Sequence, residues 1–299
     1  FKHGSALPVV AVARESLVEL SSVISGFHIS ADYAAEAARQ KEIWDFEVDK
    51  AFVDRGLVLP SQTEIIGAVQ EASDPRDVVV CAAGSLPGDL HKLWRVRDDL
   101  GYHVEYAFSC MGYEIAAGLG AARAGAMPIV MVGDGSYLMM HTEIVSAVAE
   151  GLKFIIVLIQ NHGFASIGHL SEDIGSQRFG TQYRFRDAAA NNFEGEKKLP
   201  VDLAANAASL GIDVIDIKPS ASSIADLHAA VKQAKASDKA TLIHINSDPL
   251  LYSPDGEGWW DVPIAPISTL KSTQDAYKKY SEEITQQRPL LGNGTKDKK

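Results

Sequence analysis

The chain has 299 residues, enough for one large domain or two ordinary ones, and its 46% apolar and 22% charged residues are the balance of a globular protein. A formal net charge of −11 excludes a polyanion-coating protein and speaks against nucleic acid as the main ligand. No apolar run reaches the roughly 18 residues of a membrane span, and two cysteines, Cys81 and Cys110, are too few for a disulfide framework, so a reducing, cytoplasmic setting is expected.

The first residues, Phe1, Lys2, His3 and Gly4, carry neither an initiator Met nor a signal-peptide pattern, which reads as a chain cut from a longer one. Residues 7–13 are an apolar run of strand length. Residues 14–24 then place Leu17, Leu20 and Ile24 at helical spacing. Residues 31–55 are rich in Ala and charge, with a helical period through Tyr33, Ala37, Ile43 and Phe46, and read as a linker helix. From about residue 58 a regular alternation begins. The pattern predicts helix 62–72, strand 78–83, a loop and helix over 85–95, helix 111–124, strand 129–132, helix 136–150 and strand 154–159. A long polar loop, 161–199, is followed by helix 201–210, strand 213–217, helix 222–235 and strand 241–245. Continuous apolar strands alternating with helices predict an α/β fold, a parallel sheet with helices on both faces. The 161–199 loop is too long for a plain connector and is a candidate functional segment. Residues 271–299 give a short helical pattern and a Gly/Lys tail, 291–299, expected to be disordered.

Ligands of open α/β sheets bind beyond the carboxyl ends of the strands, so the strand exits are where chemistry is sought. Strand 129–132 runs into Gly133-Asp134-Gly135-Ser136. The glycines permit a tight turn and close backbone approach, Ser136 is a good N-cap, and a helix N-terminus favours an anion such as phosphate. A carboxylate beside phosphate repels it unless a cation bridges them, and Mg²⁺ is the usual bridge. Strand 154–159 runs into Gln160-Asn161-His162-Gly163, so Asn161 on an adjacent strand can offer an amide oxygen to an ion held by Asp134.

Between Gly135 and Asn161 lie residues 136–160, room for one helix and one strand. This arrangement resembles the signature of thiamine-diphosphate-dependent enzymes: Gly-Asp-Gly, a spacer of similar length, then Asn-Asn. The chain departs from it at the first Asn, where Gln160 stands. The resemblance implies Mg²⁺ held by Asp134, the Asn161 side chain and the Gly163 carbonyl, with Gly133, Gly135 and Ser136 along the diphosphate. Two further stretches are similar to the same family. In Phe108-Ser109-Cys110-Met111-Gly112-Tyr113, Met111 takes the place of the apolar residue that props the cofactor in its bent form. Its backbone N–H and the Ser109 carbonyl would then bond the aminopyrimidine. In Ala83-Gly84-Ser85-Leu86, Gly84 and Ser85 would contact the cofactor.

The strings AGSLPGDLHKLW, SCMGYEIAAGLG, GDGSYLMMHTEI, FGTQYRFRD and GWWDVPIAPIS resemble, within the family, the hydrolases that cleave a C–C bond of a cyclic 1,2-dione in inositol catabolism. The resemblance covers about residues 8–285. It implies the thiamine-diphosphate-binding fold, with residues 1–30 as the end of a central domain, 31–57 as linker helix, 58–270 as the diphosphate-binding domain and 271–299 as a C-terminal helix and flexible tail. It also implies that a pyrimidine-binding domain is missing. The full enzyme would be a homodimer or homotetramer whose site forms between subunits, and this chain alone would be inactive. Tyr183, Arg184 and Arg186 are candidates to bind the small polyol substrate, and His162 to move protons; each taken singly reads more readily as an ordinary loop residue. His141 and His169 carry no more weight, and Trp259-Trp260 reads as a core anchor. Acetolactate synthase- and glyoxylate carboligase-like enzymes, and a non-catalytic diphosphate-binding α/β module, remain alternatives. A dinucleotide-binding turn is excluded because Gly118 and Gly120 fall inside a helix with Arg123 where Gly or Ala is required, and no P-loop string occurs.

Overall fold

The computed structural model describes residues 9–105, 107–192, 195, 197–255 and 261–286. Two compact units divide the chain, one of Phe1–Asp45 with Trp259–Lys299 and one of Phe46–Gly258. The helices and strands are α1 (Ala13–Val23), α2 (Ala31–Phe52), α3 (Gln62–Ala72), β1 (Val78–Cys81), α4 (Ser85–Leu93), β2 (Tyr102–Val104), α5 (Tyr113–Arg123), β3 (Pro128–Gly133), α6 (Asp134–Met139), α7 (Glu143–Glu150), β4 (Ile155–Gln160), α8 (Ala165–Asp173), α9 (Leu203–Ser209), β5 (Asp213–Ile217), α10 (Ser223–Ala236), β6 (Thr241–Asn246) and α11 (Lys271–Glu283).

In the larger unit all six strands are parallel, in the order β2-β1-β3-β4-β6-β5. The fold is α/β, with both faces of the sheet covered. Alternation along each strand sends Val80, Val130, Val132, Ile156, Leu158 and Leu242 to one face, against Ile115 and Leu119 of α5, Tyr137 of α6, Ile144 of α7 and Leu203 of α9. Helices α3, α4 and α10 cover the other face. Burial on both sides explains why β3 and β4 read as unbroken apolar runs rather than alternating ones. From β1 the chain steps outward to β2 and then crosses back to β3 on the opposite side. That reversal opens a crevice between the carboxyl ends of β1 and β3, where such sheets bind ligands.

Helix α3 begins with Ser61 in a reciprocal capping box with Glu64. Burial pushes the Glu64 carboxyl up, but the Arg55 and Ser61 hydrogen bonds outweigh it and hold it at about 2. In the smaller unit, α1 buries none of its residues and α11 buries Thr273. No helix among the described residues is long and apolar enough to cross a membrane.

Several boundaries differ from the sequence pattern. Residues 9–12 of the 7–13 run form no strand; they are exposed and unpaired, and α1 starts at Ala13. The helix expected over 111–124 begins at Tyr113, because Gly112 at φ +90° closes a turn first. The helix expected over 136–150 is two, α6 and α7, interrupted at Met140, whose backbone (φ −158°, ψ 72°) is not helical. The 161–199 loop contains α8. Strand β2 escapes the pattern because it is a three-residue edge strand. Residues 7 and 8, Trp259-Trp260 and the 291–299 tail lie outside the described residues.

Candidate functional site

The β3 and β4 exits are neighbours, with Gly133 paired to Ile159 in register. Asp134 opens α6 and is 1% exposed. Its carboxylate accepts hydrogen bonds from Gly135 N–H at 2.9 Å and from Gly163 N–H, across the gap between strands, at 3.2 Å. Burial pushes this carboxyl up to about 6, with the surrounding backbone N–H groups opposing, and no cationic side chain among the described residues pairs with it. Asn161 follows at the end of β4, and its Oδ1 is buried with no hydrogen-bond partner.

Both observations point to the same missing group. A buried carboxylate without a counter-charge and a buried amide oxygen without a donor are each unfavourable alone. Two hard oxygens on adjoining turns fit a divalent cation such as Mg²⁺, which takes one or two protein oxygens and fills its octahedron with phosphate and water. No cluster of three His, Cys, Asp or Glu side chains capable of holding a metal occurs among the described residues.

The loop carrying Gly163 is held from behind. Phe164 N–H bonds the Thr181 carbonyl at 2.8 Å, and Tyr183 N–H bonds the His162 carbonyl at 2.9 Å. A side chain at Gly163 would put its Cβ 2.2 Å from the Thr181 oxygen, so only glycine lets the two segments meet. At Gly135 a Cβ would lie 2.7 Å from the Phe164 ring and 3.4 Å from Met111 Cε, which brings the Met111 side chain beside the Gly-Asp-Gly turn. Ser109 and His162 are non-glycine residues at positive φ, 49° and 61°, a conformation retained where surrounding structure enforces it.

Ser136 does not cap a helix. Gly133 occupies the N-cap position of α6, and the buried Ser136 hydroxyl bonds both carboxyl oxygens of Glu114, at 2.8 and 2.7 Å. The reason lies 22 positions away: Glu114, 1% exposed at the start of α5, draws the Ser136 hydroxyl to its carboxylate. Glu114 also accepts from Gly112 N–H at 3.1 Å and Ala83 N–H at 3.4 Å, and burial pushes its carboxyl up. One side chain therefore ties the β1 exit, the 109–112 turn and the β3 exit together. Sequence reasoning missed Glu114; the signal was a lone carboxyl in the small apolar run Tyr113-Glu114-Ile115-Ala116-Ala117.

The remaining candidates are placed as follows. Gly84, at φ +91°, caps α4 at the β1 exit, and the Ser85 hydroxyl bonds Gln62 Oε1 at 3.0 Å. Tyr183 stands edge-on to Phe164, its hydroxyl is buried without a partner, and burial together with the Asp134 charge pushes it far above the usual tyrosine range. Arg184 bonds Gln182 at 2.7 Å and Arg186 bonds Asn191, so both guanidinium groups are engaged within their own loop. His162 is half-buried; burial lowers its pKa, Lys198 adds to this, and a hydrogen bond to Asn246 opposes it. His141 stacks on Tyr137 and His169 on Tyr252, each a local ring contact. Cys81 and Cys110 are free thiols, and burial raises Cys81 to about 11.

A family model described as "Thiamine pyrophosphate enzyme, C-terminal TPP binding domain" matches residues 82–245. The chain is similar to 3D-(3,5/4)-trihydroxycyclohexane-1,2-dione hydrolase 2 of Bacillus cereus, 34% identical over 91% of this chain and 46% of that protein. It is also similar to the 3D-(3,5/4)-trihydroxycyclohexane-1,2-dione hydrolase of Bacillus anthracis, 33% identical over 95% of this chain and 47% of that protein. It thus spans about half the length of these relatives. Among solved structures, benzoylformate decarboxylase from Polynucleobacter necessarius matches with a TM-score of 0.51 at 17% identity, over 64% of this chain and 33% of the other, a likeness of fold.

Proposed function

Given that this chain belongs to the thiamine pyrophosphate enzymes through their C-terminal TPP-binding domain, we propose that it holds the diphosphate end of the cofactor through Mg²⁺ and serves hydrolytic C–C cleavage of a cyclic 1,2-dione, as trihydroxycyclohexane-dione is cleaved. The observation that carries the site is the pair formed by Asp134 and Asn161 Oδ1: one buried and unneutralised, the other buried and unpartnered. The substrate class rests on the hydrolase-named relatives.

When bound, thiamine diphosphate supplies an electron sink for the carbon whose bond breaks. The chain's own residues bind and orient. Asp134, Asn161 and the Gly163 carbonyl would hold the cation, and the backbone of Gly133, Gly135 and Ser136 would take the diphosphate. Met111, beside Gly135, would support the cofactor, with the Ser109 carbonyl and Met111 N–H available to its pyrimidine and Gly84 and Ser85 as further contacts. The Ser85 and Ser136 hydroxyls are engaged elsewhere, so these two residues act through their backbone. Phe164 and Tyr183 keep water from the Asp134 side. Burial disfavours the charged form of His162, which would make it the proton acceptor, and Arg184 and Arg186 would serve the polyol only if their loop contacts release. The pyrimidine end is left to a separate domain, completed in a homodimer or larger homo-oligomer.

The test is calorimetric titration with thiamine diphosphate, with and without Mg²⁺, beside Asp134→Ala. Saturable, Mg²⁺-dependent heat lost in the variant is expected. Metal-independent binding that survives the substitution would favour a non-catalytic diphosphate module. Product analysis with the pyrimidine-binding domain present separates ring opening from the joining of two keto acids by a carboligase.

A further inference from the structure

The carboxyl end of the sheet carries a second polar row. Asp216 on β5 stands directly opposite His244 on β6, and Gln160 on β4 lies two residues beyond Leu158, the partner of His244. By alternation all three share the face of Val214, Leu242 and Leu158, so the apolar stripe of that face turns polar at its last step. Gln160 and His244 are buried. His244 Nδ1 lies 2.8 Å from Asp216 Oδ1, and its Nε2 lies 2.7 Å from Gln160 Oε1. Gln160 Nε2 donates to the Val201 carbonyl at 3.1 Å and lies 3.3 Å from His162 Nδ1.

The orientation of the row is set by what each member can bond. The Val201 carbonyl only accepts, so the Gln160 amide turns its NH₂ toward it and its oxygen toward His244. Asp216 is pushed up by burial, but its bonds to Lys218 and His244 outweigh this and hold it below the usual carboxylate value. Each His244 ring nitrogen therefore meets an oxygen, Asp216 Oδ1 on one side and Gln160 Oε1 on the other.

We infer that Asp216, His244 and Gln160 form a hydrogen-bonded brace across three strands that positions the loop of Asn161 and Gly163. This rests on the cation site proposed above. Gln160 stands two residues along β4 from the partner of His244 and its Oε1 reaches Nε2 at 2.7 Å, so an asparagine at 160 would be one methylene short. The one departure from the Asn-Asn pattern is thus the inner anchor of the brace. Asn161 follows it directly, and its buried oxygen stays open only if the backbone beneath cannot relax toward another donor. A fully satisfied polar row gives that stiffness.

Three measurements on the whole chain test the brace. Imidazole ¹H–¹⁵N correlations near neutral pH, with His244 assigned by its loss in His244→Asn, should show both ring nitrogens hydrogen-bonded, one to Asp216 and one to Gln160; a ring nitrogen free of its bond overturns the row. Amide hydrogen exchange in Gln160→Asn, His244→Asn and the milder Asp216→Asn should quicken about tenfold at Gly163, with β3 unchanged. No change at Gly163, or equal acceleration throughout β3 and β4, overturns the positioning role. Mg²⁺-dependent thiamine diphosphate affinity should fall about tenfold in the same variants. If the unsubstituted chain passes the first two measurements yet binds no cofactor even with its pyrimidine-binding domain, the brace stands and the cation site falls.

Discussion

The turn around Glu114 and the turn around Asp134 bury a carboxyl group to the same depth, 1% exposed in each, and neither group has a cationic partner among the described residues. Glu114 is closed: a hydroxyl and two backbone N–H groups from three turns converge on it. Asp134 is open: it meets backbone N–H groups alone, and the buried Asn161 oxygen nearby has no donor. Burial without charge compensation marks a site only when the local hydrogen-bond inventory is left incomplete. The complete inventory around Glu114 reads as architecture, whereas the buried Asn161 oxygen left without a donor beside Asp134 is what supports the cation site proposed above.

The largest expected effect breaks the open turn. Asp134→Ala should weaken Mg²⁺-dependent thiamine diphosphate binding by roughly 10²–10³-fold, the scale of removing one partner from a buried charge pair. An unchanged calorimetric affinity would remove Asp134 from the site. The pH dependence sharpens the same point. The folded-state value of about 6 lies above the ordinary 3.8, so the folded chain binds this proton more tightly than the unfolded one. Its stabilising contribution is present below about pH 4 and is lost as pH rises to about 6, a change on the order of 3 kcal/mol. Urea unfolding across this interval should show the loss, and Asp134→Asn should flatten it. Mg²⁺ should act in the opposite sense, because it needs the carboxylate: its stabilisation grows as pH passes about 6.

The closed turn should respond in stability first. Glu114→Ala leaves the Ser136 hydroxyl and Ala83 N–H without their carboxylate acceptor, while Gly112 N–H keeps Ser136 Oγ at 2.7 Å, and should cost about 2–3 kcal/mol in urea unfolding. Glu114→Gln, which keeps an acceptor and offers a donor to Ser136, should recover most of that; equal loss in both variants would show that a full negative charge is required. The smallest effect is at Ser85→Ala, about 1 kcal/mol of stability with cofactor affinity unmoved, since the hydroxyl serves Gln62. A drop in affinity there would move Ser85 Oγ onto the cofactor.

What the sequence discloses follows how local each feature is. Helix Gln62–Ala72 and strand Asp213–Ile217 fall where periodicity puts them, because the pattern that defines each lies inside it. The Gly-Asp-Gly turn and Asn161 are legible for a related reason: one helix-and-strand step sets their spacing, and the sheet lays β3 beside β4. The apolar run at 7–13 misleads because composition alone does not supply a neighbouring strand, and its residues 9–12 stand exposed. Ser136 misleads because its hydroxyl has a carboxyl partner 22 positions away, which no cap pattern contains. His244 sits in an apolar strand with no local cue, and its partners lie 28 and 84 positions away.

Those separations bear on the order in which the molecule assembles. Strand β6 inserts between β4 and β5, although it is the last of the six to leave the ribosome. Until it arrives, the edge of β4, Ile155–Gln160, lacks its neighbour and exposes the ladder groups of a strongly apolar strand. Non-local pairing of this kind is slow and leaves intermediates open to aggregation. Gln160 gains its His244 anchor only at that final insertion. Capture of the cofactor then reports a finished sheet, and a cell supplying thiamine diphosphate and Mg²⁺ would rescue late folding intermediates far better than early ones.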